Sequence, residues 1–140
     1  MSEVVELDTF SKQDFEKIFE IYDQTMRLHI TKSFGWDENV QRQKLHQALC
    51  ESKAVVLRYK GQVSAFALVA TDGSMSKIVV MCVDPRHQHK GLGRQLLDDV
   101  KDTASTELKR LYGIVLPSNN VQDFYIILQR LNWPLVFWVA

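Results

Sequence analysis

Val83-Asp84-Pro85-Arg86-His87-Gln88-His89-Lys90-Gly91-Leu92-Gly93-Arg94-Gln95-Leu96-Leu97 is the stretch on which the reading of this chain turns. The β-branched run from Lys77 to Val83 precedes it and stops at Asp84-Pro85, because proline cannot continue a strand ladder. From Gly91 to Leu108, Leu92, Leu96, Leu97, Val100, Ala104 and Leu108 recur at helical spacing. The stretch therefore passes from strand through loop to helix. Two glycines at the helix start let the backbone approach a ligand without a Cβ in the way, and first-turn N–H groups lack intrahelical partners. Such an end favours an anion, and Arg86, His87, His89, Lys90 and Arg94 gather positive charge around it. A phosphate or pyrophosphate suits this chemistry. The third glycine of the dinucleotide fingerprint is missing and no GxxxxGK[ST] occurs, so neither a Rossmann nor a Walker loop fits.

Lys77 to Val83 reads as a central strand buried on both faces. Ala54 to Tyr59 and Val63 to Ala70 are strands joined by a turn at Lys60-Gly61-Gln62, and Thr71-Asp72-Gly73-Ser74 supplies the next turn. Upstream, Val4 to Leu7 forms a short strand. Ser11-Lys12-Gln13-Asp14 then opens a helix carrying Phe15, Ile18, Phe19, Tyr22 and Met26 on one face. Leu28 to Trp36 breaks that pattern, and Asp37 caps a second helix with Val40, Leu45 and Leu49. Downstream come a strand from Leu111 to Leu116, a turn at Pro117-Ser118-Asn119-Asn120, a helix from Val121 to Leu131 and a last strand from Trp133 to Val139. The order β-α-α-β-β-β-α-β-α-β is that of an α/β or α+β domain with a mixed sheet.

The chain of 140 residues suits one domain, 1–140. Lys+Arg and Asp+Glu are both 17, so no overall field draws in polyanions, and general nucleic-acid binding is not expected. With 46% hydrophobic and 24% charged residues the chain is neither disordered nor fibrous. The apolar run Ile78 to Val83 falls well short of the roughly 18 residues that cross a bilayer. The acidic start Met1-Ser2-Glu3-Val4-Val5-Glu6 is unlike a signal peptide, so no membrane association is expected and the cytoplasm is the expected compartment. Cys50 and Cys82 show no CxxC or disulfide-framework spacing, and Cys82 reads as a buried small hydrophobe. His87 and His89 have no metal-ligand partners at helical spacing, so no metal site is indicated.

The central stretch resembles the GNAT superfamily of acyl-CoA-dependent N-acyltransferases. Gln88-His89-Lys90-Gly91-Leu92-Gly93 matches that family's (Q/R)xxGx(G/A) motif, and Val83-Asp84-Pro85 matches the V-x-P that ends its fourth strand. The resemblance implies a mixed, mostly antiparallel central sheet flanked by helices. It also implies that amides of Gln88, His89, Lys90, Gly91, Leu92, Gly93 and Arg94 hold the pyrophosphate of acetyl-CoA. Cys82 and Val83 would pair with the pantetheine arm as an added strand does. A backbone N–H near Val83 would then stabilise the oxyanion as an amine attacks the thioester.

A second segment, Phe34-Gly35-Trp36-Asp37-Glu38 with Gln41, resembles the (W/F)GWDE…Q segment of a poorly characterised branch of GNAT-like proteins. By that resemblance it borders the acceptor site, where Trp36 stacks on the acceptor and Asp37 or Glu38 attracts an ammonium group. In the alternative, Asp37 is only an N-cap and Trp36 packs as a staple. The two readings are compatible.

Amine attack needs a base for the acceptor and an acid for the departing CoA thiolate. The family's late pattern N-x-x-A-x-x-(F/Y)-Y-x-x-x-G-F is degraded here. Asn119 or Asn120 stands for the asparagine, with Asn120 assigned to the cofactor, while Ile127 or Leu128 falls where the tyrosine belongs and Asn132-Trp133 replaces Gly-Phe. Tyr125 lies about one helical turn early and is the candidate acid, against a reading as a packing residue. Glu38 and Asp37 lead as base candidates. His29, on the acceptor side, is an alternative because its ordinary pKa of about 6.5 suits proton transfer, and His46 reads as structural.

The expected activity is transfer of an acetyl group from acetyl-CoA to a primary amine of a small molecule, within a ternary complex. Cys82 is not expected to be a nucleophile because of its place in the central apolar strand. One alternative is a non-catalytic acyl-CoA-binding or regulatory domain, favoured by the missing tyrosine. Another is an interaction module built on the aromatic C-terminal strand. That strand also suggests a homodimer, since an apolar open edge invites pairing.

Overall fold

The protein is described by a computed structural model covering residues 5–9, 11–73, 75–88, 90–106, 110–115 and 135–139. Three β-strands, β1 (Val5–Thr9), β2 (Lys53–Tyr59) and β3 (Gln62–Asp72), pair antiparallel in succession. The next strand, β4 (Met75–Val83), continues antiparallel to β3, whereas β5 (Arg110–Val115) and β6 (Leu135–Val139) run parallel to their predecessors. The sheet order is β1-β2-β3-β4-β5-β6, so β4 lies in its interior. This is the mixed, mostly antiparallel α+β sheet expected from the sequence. The expected helix from Val121 to Leu131 lies outside the described residues.

Helices α1 (Phe15–Phe34) and α2 (Glu38–Glu51) cover one face, and α3 (Leu92–Thr106) covers the other. On the α3 face, Leu92, Leu96, Leu97 and Val100 pack against Leu57, Ala65, Ala67 and Ile78. On the opposite face, Ile18, Phe19, Ile21, Tyr22, Leu45 and Leu49 pack against Val56, Phe66, Leu68 and Cys82. Burying a leucine fully, as at Leu96 and Leu97, stabilises by about 2 kcal/mol.

The first helix runs further than its apolar spacing suggested. Leu28 to Phe34 are helical, although Leu28 and Phe34 are 61% and 78% exposed, because Ile30 keeps the buried face going one turn past Met26. The helix stops at Gly35, whose φ of 81° is costly for any side chain-bearing residue. His29 accordingly sits on this helix and not in a loop.

β4 is also less regular than its continuous apolar run implied. Leu68 faces Val80 while Val69 faces Ile78, leaving Val79 without a partner across β3. This bulge changes the phase of the strand. Ile78, Met81 and Val83 point to the α3 face, Val80 and Cys82 point to the α1–α2 face, and Val79 is exposed.

Candidate active site

β4 and β5 pair over only the first four residues of each. Met75, Ser76, Lys77 and Ile78 face Arg110, Leu111, Tyr112 and Gly113, and no register continues beyond that last pair. β5 nonetheless stays paired with β6 as far as Val115 opposite Val139. The two strands therefore part after Ile78, and among the described residues nothing pairs with the second half of β4, through Val83, on its β5 side. Such an edge offers N–H and C=O groups to an extended ligand bearing amides.

That open edge leads into the turn toward α3. Gln88 Nε2 donates to the Val83 carbonyl at 3.1 Å, bridging the two ends of the turn. Gly91 adopts φ 81°, a Cβ added there would meet none of the described residues within 4 Å, and its carbonyl takes the first helical bond, from Gln95 N at 3.0 Å. The amides of Leu92 and Gly93 precede that bond and so have no place in the helical ladder. Gly93 sits against the strand end, where a Cβ would meet Val83 Cγ2 at 3.7 Å. The structure thus brings Val83, Gln88, Lys90, Gly91, Leu92, Gly93 and Arg94 into one turn. His89 lies outside the described residues.

Within the turn, Asp84 is buried and accepts from Arg86 Nη2 at 2.8 Å, Arg86 Nε at 3.2 Å and Arg86 N at 3.0 Å. The hydrogen bonds from Arg86 hold the Asp84 carboxyl at about 2, below the usual carboxylate range. The positive charge that Arg86 contributes to the loop is therefore largely offset by this partner. His87 packs edge-on against Tyr59, ring centroids 5.4 Å apart.

Cys82 joins the two faces. Its backbone lies on the open half of β4, and its side chain enters the cluster of Tyr22, Phe66 and Leu68, with Trp36 packed alongside. Burial pushes its thiol up to about 12, which disfavours the thiolate that a nucleophile needs. The Tyr22 hydroxyl, also raised to about 12 by burial, donates to Gln41 Oε1 at 2.8 Å.

In the segment between α1 and α2, Asp37 is the N-cap, accepting from Val40 N at 3.0 Å. Trp36 packs between Phe19 and Tyr22, at 6.4 and 6.0 Å, with the Arg27 guanidinium 5.3 Å over its ring. Its indole N–H is buried with no hydrogen-bond partner among the described residues. Glu38 faces Arg42 at 4.0 Å, and Arg42 also reaches Glu16 at 2.9 Å and lies over Phe19. His46 is exposed on α2 and touches the edge of Phe15, which fits a structural role. Asn120 and Tyr125, the remaining candidates, lie outside the described residues. Among the described residues no group of three or more metal-ligating side chains occurs.

Sequence reasoning passed over Asp84 and Lys17 as functional candidates. The Asp-Pro pair at the start of a turn was a visible signal for capping. Lys17, 3.5 Å from Asp84, comes from a distant part of the chain.

Residues 6–128 match the family model of the acetyltransferase (GNAT) domain. The chain belongs to the GNAT acetyltransferase family. Solved GNAT structures share its fold at low identity. The ribosomal-protein-S18-alanine N-acetyltransferase of Escherichia coli is 20% identical over 89% of this chain and 76% of its own, with a TM-score of 0.72. The PaiA N-acetyltransferase of Thermoplasma acidophilum, in complex with coenzyme A, is 14% identical over 90% and 88%, with a TM-score of 0.70. An aminoglycoside N-acetyltransferase in complex with CoA is 14% identical over 95% and 90%, with a TM-score of 0.69. No curated protein matches the chain significantly. As a GNAT acetyltransferase, the chain has residues that fit the CoA moiety. The half of β4 left unpaired by β5 suits an amide-bearing arm, and the start of α3 after Gly91, whose first amides lie outside the helical ladder, suits a pyrophosphate.

Proposed function

We propose that this GNAT acetyltransferase moves an acetyl group from acetyl-CoA to a primary amine of a small molecule, by direct attack in a ternary complex. The observation that carries this reading is the divergence of β4 from β5 after Ile78, directly ahead of the glycine-bearing start of α3. Acetyl-CoA, when bound, supplies the acetyl group as a thioester.

In this proposal the amides of Gln88, His89, Lys90, Gly91, Leu92, Gly93 and Arg94 receive the pyrophosphate, with Asn120 a further contact to CoA. The backbone of Cys82 and Val83 aligns the pantetheine arm, and an N–H near Val83 meets the developing oxyanion. Trp36 borders the acceptor, with Asp37 and His29 on the same side. Glu38 takes the proton from the ammonium form of the acceptor, and Tyr125 gives one to the departing thiolate. Glu38 is exposed beside Arg42, in reach of solvent, as a base acting through water requires.

The free thiols Cys50 and Cys82 accord with a reducing, cytoplasmic setting. Among the described residues no helix is long and apolar enough to cross a membrane. Pairing of two copies through β6, the last strand in the described sheet, is also part of this proposal, and light scattering showing only monomer would remove it.

The test is CoA release with a panel of primary amines. We expect turnover with one class of amine and a loss of about a hundredfold in Tyr125→Phe. Binding of acetyl-CoA without CoA release from any amine would contradict transfer and favour a non-catalytic binding domain.

A further inference from the structure

Asp84 follows β4 directly and begins the turn into α3, and it is 1% exposed. A carboxylate placed so deeply is costly unless it is paired and hydrogen-bonded. Arg86 meets it with a two-nitrogen fork and its own backbone N–H, and Lys17 Nζ of α1 lies 3.5 Å from Oδ2. The Asp84 main chain is pinned as well. Its N–H donates to the Ser64 carbonyl at 2.8 Å, and its carbonyl accepts from His87 N at 2.8 Å. The rest of the turn has little burial of its own, for Arg86, Gln88, Lys90 and Gly91 are all exposed. A single buried anion, tied to β3, to α1 and to the turn itself, therefore sets the path of the chain toward Gly91.

We propose that Asp84 is a positioning residue that holds the turn between β4 and α3 in the shape whose amides receive the CoA pyrophosphate, with Arg86 and Lys17 as its clamps. This rests on the acetyl-CoA reading above. The sign of the effect separates positioning from simple electrostatics. An anion beside a phosphate site opposes binding on Coulomb grounds, so removing its charge would tighten CoA binding if charge were all it contributed. Positioning predicts weaker binding instead.

The experiment is calorimetric titration of the full chain with CoA, for wild type, Asp84→Asn and Arg86→Gln, with amide hydrogen exchange on the ligand-free proteins. Asparagine keeps the acceptor for Arg86 N but loses the charge that Arg86 and Lys17 share. Arg86→Gln changes an exposed side chain and leaves Asp84 with Lys17, so it serves if the buried variant does not fold; because it also removes a positive charge near the site, its discriminating readout is hydrogen exchange and not the sign of the CoA effect. Both variants are expected to bind CoA about tenfold more weakly, the loss of a charge-assisted hydrogen-bonded pair. Exchange should quicken more for amides between residues 86 and 94 than for β3, whose amides report only the loss of overall stability. Unchanged or tighter CoA binding in the variants, or exchange quickened no more between residues 86 and 94 than in β3, overturns the positioning role alone. Failure of the wild type to bind CoA overturns this proposal together with the acetyl-CoA reading.

Discussion

Ile78 of β4 stands opposite Gly113 of β5, and this is the last pair the two strands share. Both strands continue, β4 to Val83 and β5 to Val115 alongside β6, so the break is a divergence within a sheet and not the end of either strand. An open strand edge inside a sheet leaves backbone donors and acceptors unused by the ladder. On addition of acetyl-CoA, amides between residues 79 and 83 and between 91 and 94 should gain protection from hydrogen exchange, while those of α2 stay unchanged. Protection confined to the α1–α2 segment would place the ligand elsewhere.

The two glycines of the turn should respond to alanine with opposite signs. Gly91 has φ 81°, where a Cβ is strained whatever the surrounding space, so Gly91→Ala should lower stability by about 1 kcal/mol. Gly93 is helical and a Cβ there meets Val83 Cγ2 at an ordinary contact distance, so Gly93→Ala should raise stability by about 0.5 kcal/mol through helix propensity. Urea midpoints measure both.

Acid should destabilise the fold in a defined window. Hydrogen bonds from Arg86 hold Asp84 at about 2, and those from Arg58, at 2.9 and 2.7 Å, hold Asp14 at about 2. Both pKa values are depressed on folding. Their stabilisation is therefore fully present above the unfolded value near 4 and is lost as pH falls toward 2, about 2 kcal/mol for each. Denaturant midpoints measured from pH 5 to pH 2 should fall steadily, and a flat profile would show these pairs to be immaterial.

The two cysteines should separate cleanly by reactivity. Cys50 is exposed on α2, whereas Cys82 is 3% exposed with its thiol pushed up to about 12. A chromogenic disulfide reagent at pH 8 should titrate one thiol quickly and the second only in denaturant. Rapid reaction of both would reopen Cys82 as a nucleophile.

What the sequence made legible follows from the range over which each feature acts. The β4–α3 turn was readable because strand, Asp-Pro, basic residues and glycines are contiguous from Val83 to Gly93. The length of α1 was not, because Leu28 and Phe34 point to solvent and mask the buried face that Ile30 continues. The bulge at Val79 was hidden in an unbroken apolar run, where no alternation of polar and apolar residues marks a change of phase. The Asp84–Lys17 pair joins β4 to α1, and no local pattern reports a contact between distant segments. Of the two compatible roles for Asp37, the cap is local and is seen in its bond from Val40 N.

The most direct measurement is calorimetric titration of the purified protein with acetyl-CoA, with Gly91→Trp as the control that fills the space beside the turn. The expected result is micromolar binding by the wild type and its loss in the control. No heat at millimolar acetyl-CoA with the folded wild type would contradict it.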